Sequence, residues 1–535
     1  MISSSSTENN SPPTFILRVF CFDTSNMAEK PFLRGRRLQL SLAVTAAVAW
    51  ILQGYDQALM NGLLTLPTFE QTFPEIDTTH YKGRATLQGT AVALYEVGAA
   101  LGALSCFFIG DKYGRKRPTI GAAIVVLVGV VIQASSYQLP QLIVARIVTG
   151  LGVGAFTATL PSWVGESSEA NHRGFLIAFE GSGAIFGVML AGWLELGLFF
   201  APKDDSVSWR FPIAFQAIFP IAVLCVAPFL AESPRWLLSK DRIEEGKAVL
   251  ALLEDEDEGS EVVEARARVI MNSIYADKQG HSKNPFALTP NRHLNRTLLA
   301  IGVNMLAQMS GVNVISFYSN KIFQEDLHFS ATLSRVITGC LQTWQFLMAT
   351  ASIFLIDRFG RRRLLIIGAC CMAVANAGLA GLQSHADIKA VAGCALIFYF
   401  FALAAFPIGL FLIPFMFASE IAPICIRAQV TAMSSATNWL FNFLVAEVTP
   451  TAFANIGWKY YLVYVCTNSI SVVVFYLFAP ETKGRTLEDI DAIFLGASNS
   501  LQPVKMAKYM QPGIAEELDM NEKTALEAER LESVA

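Results

Sequence analysis

The chain has 535 residues, of which 53% are hydrophobic and only 16% charged, and its formal net charge is −4. Soluble domains carry about 25% charged residues; here the charge gathers in 1–37, 233–294 and 481–535, so the remainder is more apolar than the mean hydropathy of +0.44 conveys. This balance excludes disordered, collagen-like and disulfide-scaffold classes, argues against a soluble enzyme, and gives no reason to expect nucleic acid as a partner.

In chain order, the Ser-rich start 1–37 reads as a disordered tail, because its apolar stretch 15–22 is short and interrupted by Arg18. A hydrocarbon core of about 30 Å needs about 20 apolar residues in a helix. Twelve runs meet that requirement: 40–64, 86–110, 118–137, 140–163, 174–198, 210–230, 297–318, 331–356, 364–383, 390–418, 428–450 and 458–479. The expected fold is therefore an all-α membrane protein of twelve transmembrane helices in two six-helix halves, 38–232 and 295–480. Between the halves, 233–294 holds amphipathic stretches at 241–253 and 262–276, split by the acidic run 254–258. The acidic segment 481–535 reads as a mostly disordered tail. Lys112, Arg115, Lys116 and Arg117 cluster in one connection and Arg358, Arg361, Arg362 and Arg363 in another, while the connections of the other face are poor in basic residues. By the positive-inside rule both termini are cytoplasmic.

The halves repeat. Asp111-Lys-Tyr-Gly-Arg115 returns as Asp357-Arg-Phe-Gly-Arg361, and Glu166, ahead of Arg173, returns as Glu420, ahead of Arg427. Glu232-Ser-Pro-Arg235 is echoed by Glu481-Thr-Lys-Gly-Arg485. Parallel repeats of this kind are a transporter layout, with the solute held between the halves. Asp111, Arg115, Glu166, Arg173, Asp357, Arg361, Glu420 and Arg427 are candidate gating residues, since topology alone would need the arginines but not the acids.

Charges inside apolar runs are expensive unless paired or used. Asp56, Arg146 and Glu180 stand out on that ground. Asp56 lies roughly 24 Å into the first span from one face, and Arg146 roughly 9 Å into the fourth from the other. In a core of about 30 Å these depths nearly coincide, so the two are candidates for an ion pair, whereas Glu180 sits too far away. Such a pair suits proton coupling, and it suits a purely structural bridge as well. Neutral amides recur at helical spacing: Gln53 near Asp56, Gln342 and Gln345, Asn438 and Asn442, with Gln308 and Asn313 flanking Gly311, where a helix can break. Amides both donate and accept, which fits a neutral polyhydroxylated ligand. The pairs Gly98/Gly102, Gly150/Gly154 and Gly183/Gly187 read as close helix packing. Gly150, Gly152 and Gly154 spell a nucleotide loop only superficially, since no strand precedes them. The six histidines lie in polar connections, so no metal site is expected.

DKYGRK, DRFGRR, PSWVGE, ESPRWLL, GVNVISFYS, NWLFNF and PETKGRTLED, in this order, resemble the signatures of the sugar porter family of the major facilitator superfamily, and the first span is similar to those of fungal hexose and polyol transporters. The resemblance implies a sugar or polyol as substrate, a lipid bilayer as setting (the plasma membrane), a monomer, no cofactor, and a proton as coupling ion through Asp56 and Arg146. It places substrate contacts at Gln308, Asn313, Gln345, Phe415 and Asn442. Glu180 and Gly181 form a possible substrate or proton site. The chain departs from the family where Gly181 and Ala307 replace glutamines, Phe415 replaces a tryptophan, and Ala58 replaces a frequent glycine. Gly181 is expected to leave water or a void beside the ligand. A facilitative carrier or exporter of a sugar-like or organic-acid metabolite, and a non-transporting nutrient sensor, are the alternatives.

Overall fold

The computed structural model describes residues 33–78, 82–168, 173–200, 206–278, 284–385, 388–485 and 487–510. The tails 1–32 and 511–535 lie outside the described residues. Six long helical elements build the first half: α1 Gly35–Leu63, α2 Ala85–Tyr113, α3 Lys116–Ala134, α4 Leu139–Ser167, α5 Arg173–Phe199, and α6, which is Val207–Phe215 followed by Ile218–Val226. The second half has α7 in two pieces, His293–Gln308 and Val312–Glu325, then α8 Ala331–Phe359, α9 Arg361–Gln383, α10 from Lys389 to Ile421, α11 Arg427–Ile456 and α12 Tyr460–Phe478. The apolar stretch 429–478 is one run by hydropathy but two crossings, because the chain breaks at Gly457. Unbroken, it would span roughly 75 Å, far more than a bilayer. Val131, Phe354 and Ile397 lie exposed on the outer surface, where only hydrocarbon would accept them.

Packing follows the repeat. α2 seats on α4, and α1 on α5; across the halves α2 meets α11 and α5 meets α8, contacts that exchange when the halves are swapped. The glycine pairs of α2 and α4 interlock. A Cβ at Gly102 would stand 2.0 Å from the Leu151 carbonyl oxygen, and one at Gly154 1.9 Å from that of Ala99. Only glycine permits backbones this close.

α7 breaks at Gly311, where φ is +90°. The carbonyls freed inside the bundle find donors on neighbouring helices. Asn376 and Asn468 both donate to the Ser310 carbonyl, at 3.1 and 3.0 Å, and Thr467 donates to that of Met309 at 2.7 Å. Interruptions at membrane depth survive only with such compensation. α10 has its own irregularity, a wide π turn at Pro407–Phe411.

Between the halves lie three helices, Pro234–Ser239, Ile243–Glu254 and Glu261–Lys278, which share a small core of Leu238, Leu250, Val263 and Ala267. The acidic segment 481–535, expected to be mostly disordered, is folded over its first part. Leu487–Leu495 and Gln502–Tyr509 are helical, Ile490, Ile493 and Phe494 are buried, and the guanidinium of Arg296 pairs with Asp491. Apolar residues at i, i+3 and i+4 gave that segment a face to bury, which net charge obscured.

Candidate functional site

Two like clusters mark one end of the bundle, called here the basic face. Arg115, just past the turn at Gly114, holds the Glu166 carboxylate through Nη2 at 3.0 Å and Nε at 3.3 Å. Its backbone N–H donates to Glu232 at 2.8 Å, and the Ser233 hydroxyl donates to Glu166. In the second half Arg361 reaches Glu420 at 3.3 Å, its N–H donates to Glu481 at 2.9 Å, and Thr482 donates to Glu420 at 2.6 Å. Glu232, Ser233, Glu481 and Thr482 were not among the expected gating residues. The echo of Glu232-Ser-Pro in Glu481-Thr-Lys was the signal for them. Burial pushes the Glu232 carboxyl up from its ordinary value, while the N–H groups of Ser233, Arg115 and Lys116 pull it back. Arg427 donates to the Ala422 carbonyl at 3.2 Å. The side chains of Asp111, Arg173 and Asp357 lie outside the described residues. Among the described residues, the contacts given above join each cluster to elements of its own half.

On the opposite face, hydrogen bonds between described residues join the halves. Asn61 of α1 donates to Ser319 of α7 at 2.8 Å and accepts from the Asn320 N–H at 3.0 Å. Arg335 of α8 donates to Thr65 Oγ1 at 2.7 Å and covers the Phe199 ring at 4.1 Å. Lys321 donates to Gln88 at 2.7 Å, Thr90 to Glu447 at 2.8 Å, and Trp193 to Thr343 at 2.8 Å. The structure is therefore sealed on that face.

Asp56 and Arg146 are brought together as the helix depths predict. Arg146 Nη1 stands 3.7 Å from Asp56 Oδ1, and each residue is 1% exposed. The contact is loose, since neither Asp56 oxygen has a hydrogen bond. The guanidinium is anchored elsewhere, on the Val92 carbonyl at 3.1 Å and over the Tyr95 ring at 5.3 Å.

In the second half the amides form a chain at the α7 break. Asn313 donates to Gln308 Oε1 at 2.5 Å, and Gln308 donates to Asn438 Oδ1 at 2.6 Å. Asn442, one turn beyond Asn438, is buried with its Oδ1 unbonded, and Gln345 is buried on α8. Phe415 is half-buried on the irregular α10. Glu180 is buried beside Trp50 of α1, away from the Arg146 pair. The expected void at Gly181 is corrected: a Cβ there would stand 2.1 Å from Leu412 Cδ2, so a leucine of α10 fills the space. Glu96, Glu195, Glu447 and Arg335, absent from the sequence expectations, also lie inside spans, and each shows the same charge-in-an-apolar-run signal as Asp56.

The family described as Sugar (and other) transporter matches residues 42–494. Sugar transporter STL1 of Saccharomyces cerevisiae is 33% identical over 89% of this chain and 85% of its own. The MFS-type transporter oryC of Aspergillus oryzae is 31% identical over 87% of each chain. The structure of the proton:xylose symporter XylE bound to 6-bromo-6-deoxy-D-glucose superposes with a TM-score of 0.73 at 24% identity, covering 85% of this chain and 99% of that one. Twelve crossings in two repeated halves, with polar residues buried between them, thus have a known counterpart. The chain belongs to the sugar transporter family of the major facilitator superfamily, and is a multi-pass membrane carrier rather than an enzyme.

Proposed function

We propose that the protein moves a neutral sugar or polyol by alternating access, coupled to protons through Asp56 and Arg146. The observation that carries this reading is the Asp56–Arg146 pair, fully buried yet without a hydrogen bond between its members. An ion pair that served structure alone would gain from close hydrogen bonding, since desolvation of both charges must be offset. A loose one leaves the carboxylate ready to take a proton and release the arginine. The names of relatives agree: one is a proton:xylose symporter, another a high-affinity fructose transporter of Schizosaccharomyces pombe.

Gln308, Asn313, Gln345 and Asn442 supply amide donors and acceptors for hydroxyl groups, and Phe415 an apolar wall. With Leu412 against Gly181, the site is narrower and less polar on the α5 side than an amide there would make it. Arg115, Glu166, Arg361 and Glu420, with Asp111, Arg173, Asp357 and Arg427 of the same turns, gate the basic face through charge networks that loosen when that face opens. The basic face is cytoplasmic, the membrane is the plasma membrane, and the working unit is a monomer without a cofactor. Exchange of radiolabelled hexoses, polyols and organic acids by proteoliposomes tests the substrate class. A hexose or polyol is expected to exchange fastest; exchange of organic acids alone would overturn the assignment.

A further inference from the structure

Glu96 of α2 lies at the same buried seam and has no place in the transport mechanism drawn above. It is 1% exposed, its Oε2 has no hydrogen bond, and it interacts with the amide of Asn442 of α11, in the opposite half. Asp56 from α1 and Arg146 from α4 both act on it electrostatically. Its neighbour Tyr95 lies under the Arg146 guanidinium, and Val92, one turn away on α2, accepts from it. Arg146 is thus fastened to the helix that carries Glu96 more firmly than to Asp56. Among the described residues, the other titratable groups along this seam are Glu447 of α11, bonded to Thr90 well over a turn farther along α2, and Tyr318 of α7, whose hydroxyl donates to the Ala446 carbonyl.

We infer that Glu96 is the second acid of the coupling site, sharing Arg146 with Asp56 and passing the state of charge to Asn442. The inference rests on the proton-coupled reading. Its basis is charge arithmetic. Two carboxylates share the field of one guanidinium in a dry interior, and both ionised would leave a surplus negative charge there. Asp56 Oδ1 and Oδ2, Glu96 Oε2 and Asn442 Oδ1 are without a hydrogen bond, and so are Nε and Nη1 of Arg146. One proton on Glu96 removes the surplus charge. When the proton leaves, Glu96 becomes a second anion beside Arg146 and an acceptor only toward Asn442. The change reaches a substrate-contacting residue of the other half without crossing open cavity. Glu96 is a positioning residue for Asn442 as well as a proton-binding group.

The test uses full-length protein in proteoliposomes, with spin labels at Leu87 and Ile456, exposed ends of α2 and α11, read by pulsed dipolar spectroscopy from pH 5 to 8 without added solute. Wild-type protein is expected to change its distance distribution with pH. Glu96→Gln, which keeps shape and hydrogen bonding, should abolish that change or move its midpoint by at least one pH unit; Glu96→Asp should restore it. An unaltered midpoint and amplitude in folded Glu96→Gln overturns the inference, as does a wild-type distribution that ignores pH. Accumulation driven by a pH gradient separates the two claims. If Asp56→Asn loses accumulation while Glu96→Gln keeps it with the wild-type pH response, only the role of Glu96 falls. If wild-type protein does not accumulate solute, the coupled reading falls first.

Discussion

At Gly181 the missing side chain is replaced, in space, by Leu412 from the opposite half. Gly181→Gln therefore does not simply recreate a sugar-binding amide. It pushes α5 and α10 apart, and transport is expected to slow severalfold whichever solute is used. Leu412→Ala in the same chain removes the obstruction and should recover the rate, as measured by exchange in proteoliposomes. A second residue-scale prediction concerns Asp326, just beyond α7, whose carboxyl is pushed up to about 6, first by burial and next by Glu325. A carboxyl raised in the folded state binds protons there that the unfolded chain releases near 4. Stability from this residue is thus fully present below about pH 4 and is lost as pH rises through about 6. Asp326→Asn should flatten the fall in Tm between pH 4 and 6 in detergent. A slope equal to that of the wild type would contradict the assignment.

At the scale of elements, the α7 break carries the amide chain, and Gly311 makes the break. An alanine there would take φ +90° and bring Cβ within 2.8 Å of the Tyr464 ring. Left-handed strain alone costs about 1–3 kcal/mol. Gly311→Ala is expected to lower Tm by several degrees and to weaken solute binding together, because Gln308 and Asn313 lose their register. The break was legible as a glycine between two amides, and the Asp56–Arg146 pair as two depths that coincide. Hydropathy and 1.5 Å per residue suffice for such inferences because a bilayer fixes the axis along which depth is counted. What lay out of reach was lateral: Leu412 against Gly181 joins segments far apart in sequence, and no one-dimensional period encodes it. Glu96 is a different case. Its charge was visible, but its meaning depends on which helix anchors Arg146.

For the whole molecule, the seal opposite the basic face is a set of modest hydrogen bonds. Interhelical bonds in membranes average about 0.6 kcal/mol, and reach about 1.7. The set therefore sums to a few kcal/mol, an amount that solute and proton binding can shift in either direction. Arg335→Ala removes two bonds to Thr65 and the stacking on Phe199. It should raise the population open on that face roughly three- to fifteenfold, seen as longer distances between labels on α1 and α7. Unchanged distances would mean that the seal resides elsewhere.

The central claim is that Asp56 couples proton movement to solute movement, and uphill accumulation tests it most directly. In proteoliposomes with an imposed pH gradient, wild-type protein is expected to concentrate the solute it exchanges fastest. Asp56→Asn keeps the shape and removes the titratable group, so accumulation should vanish while equilibrative exchange survives. Accumulation by Asp56→Asn equal to that of the wild type would contradict the account.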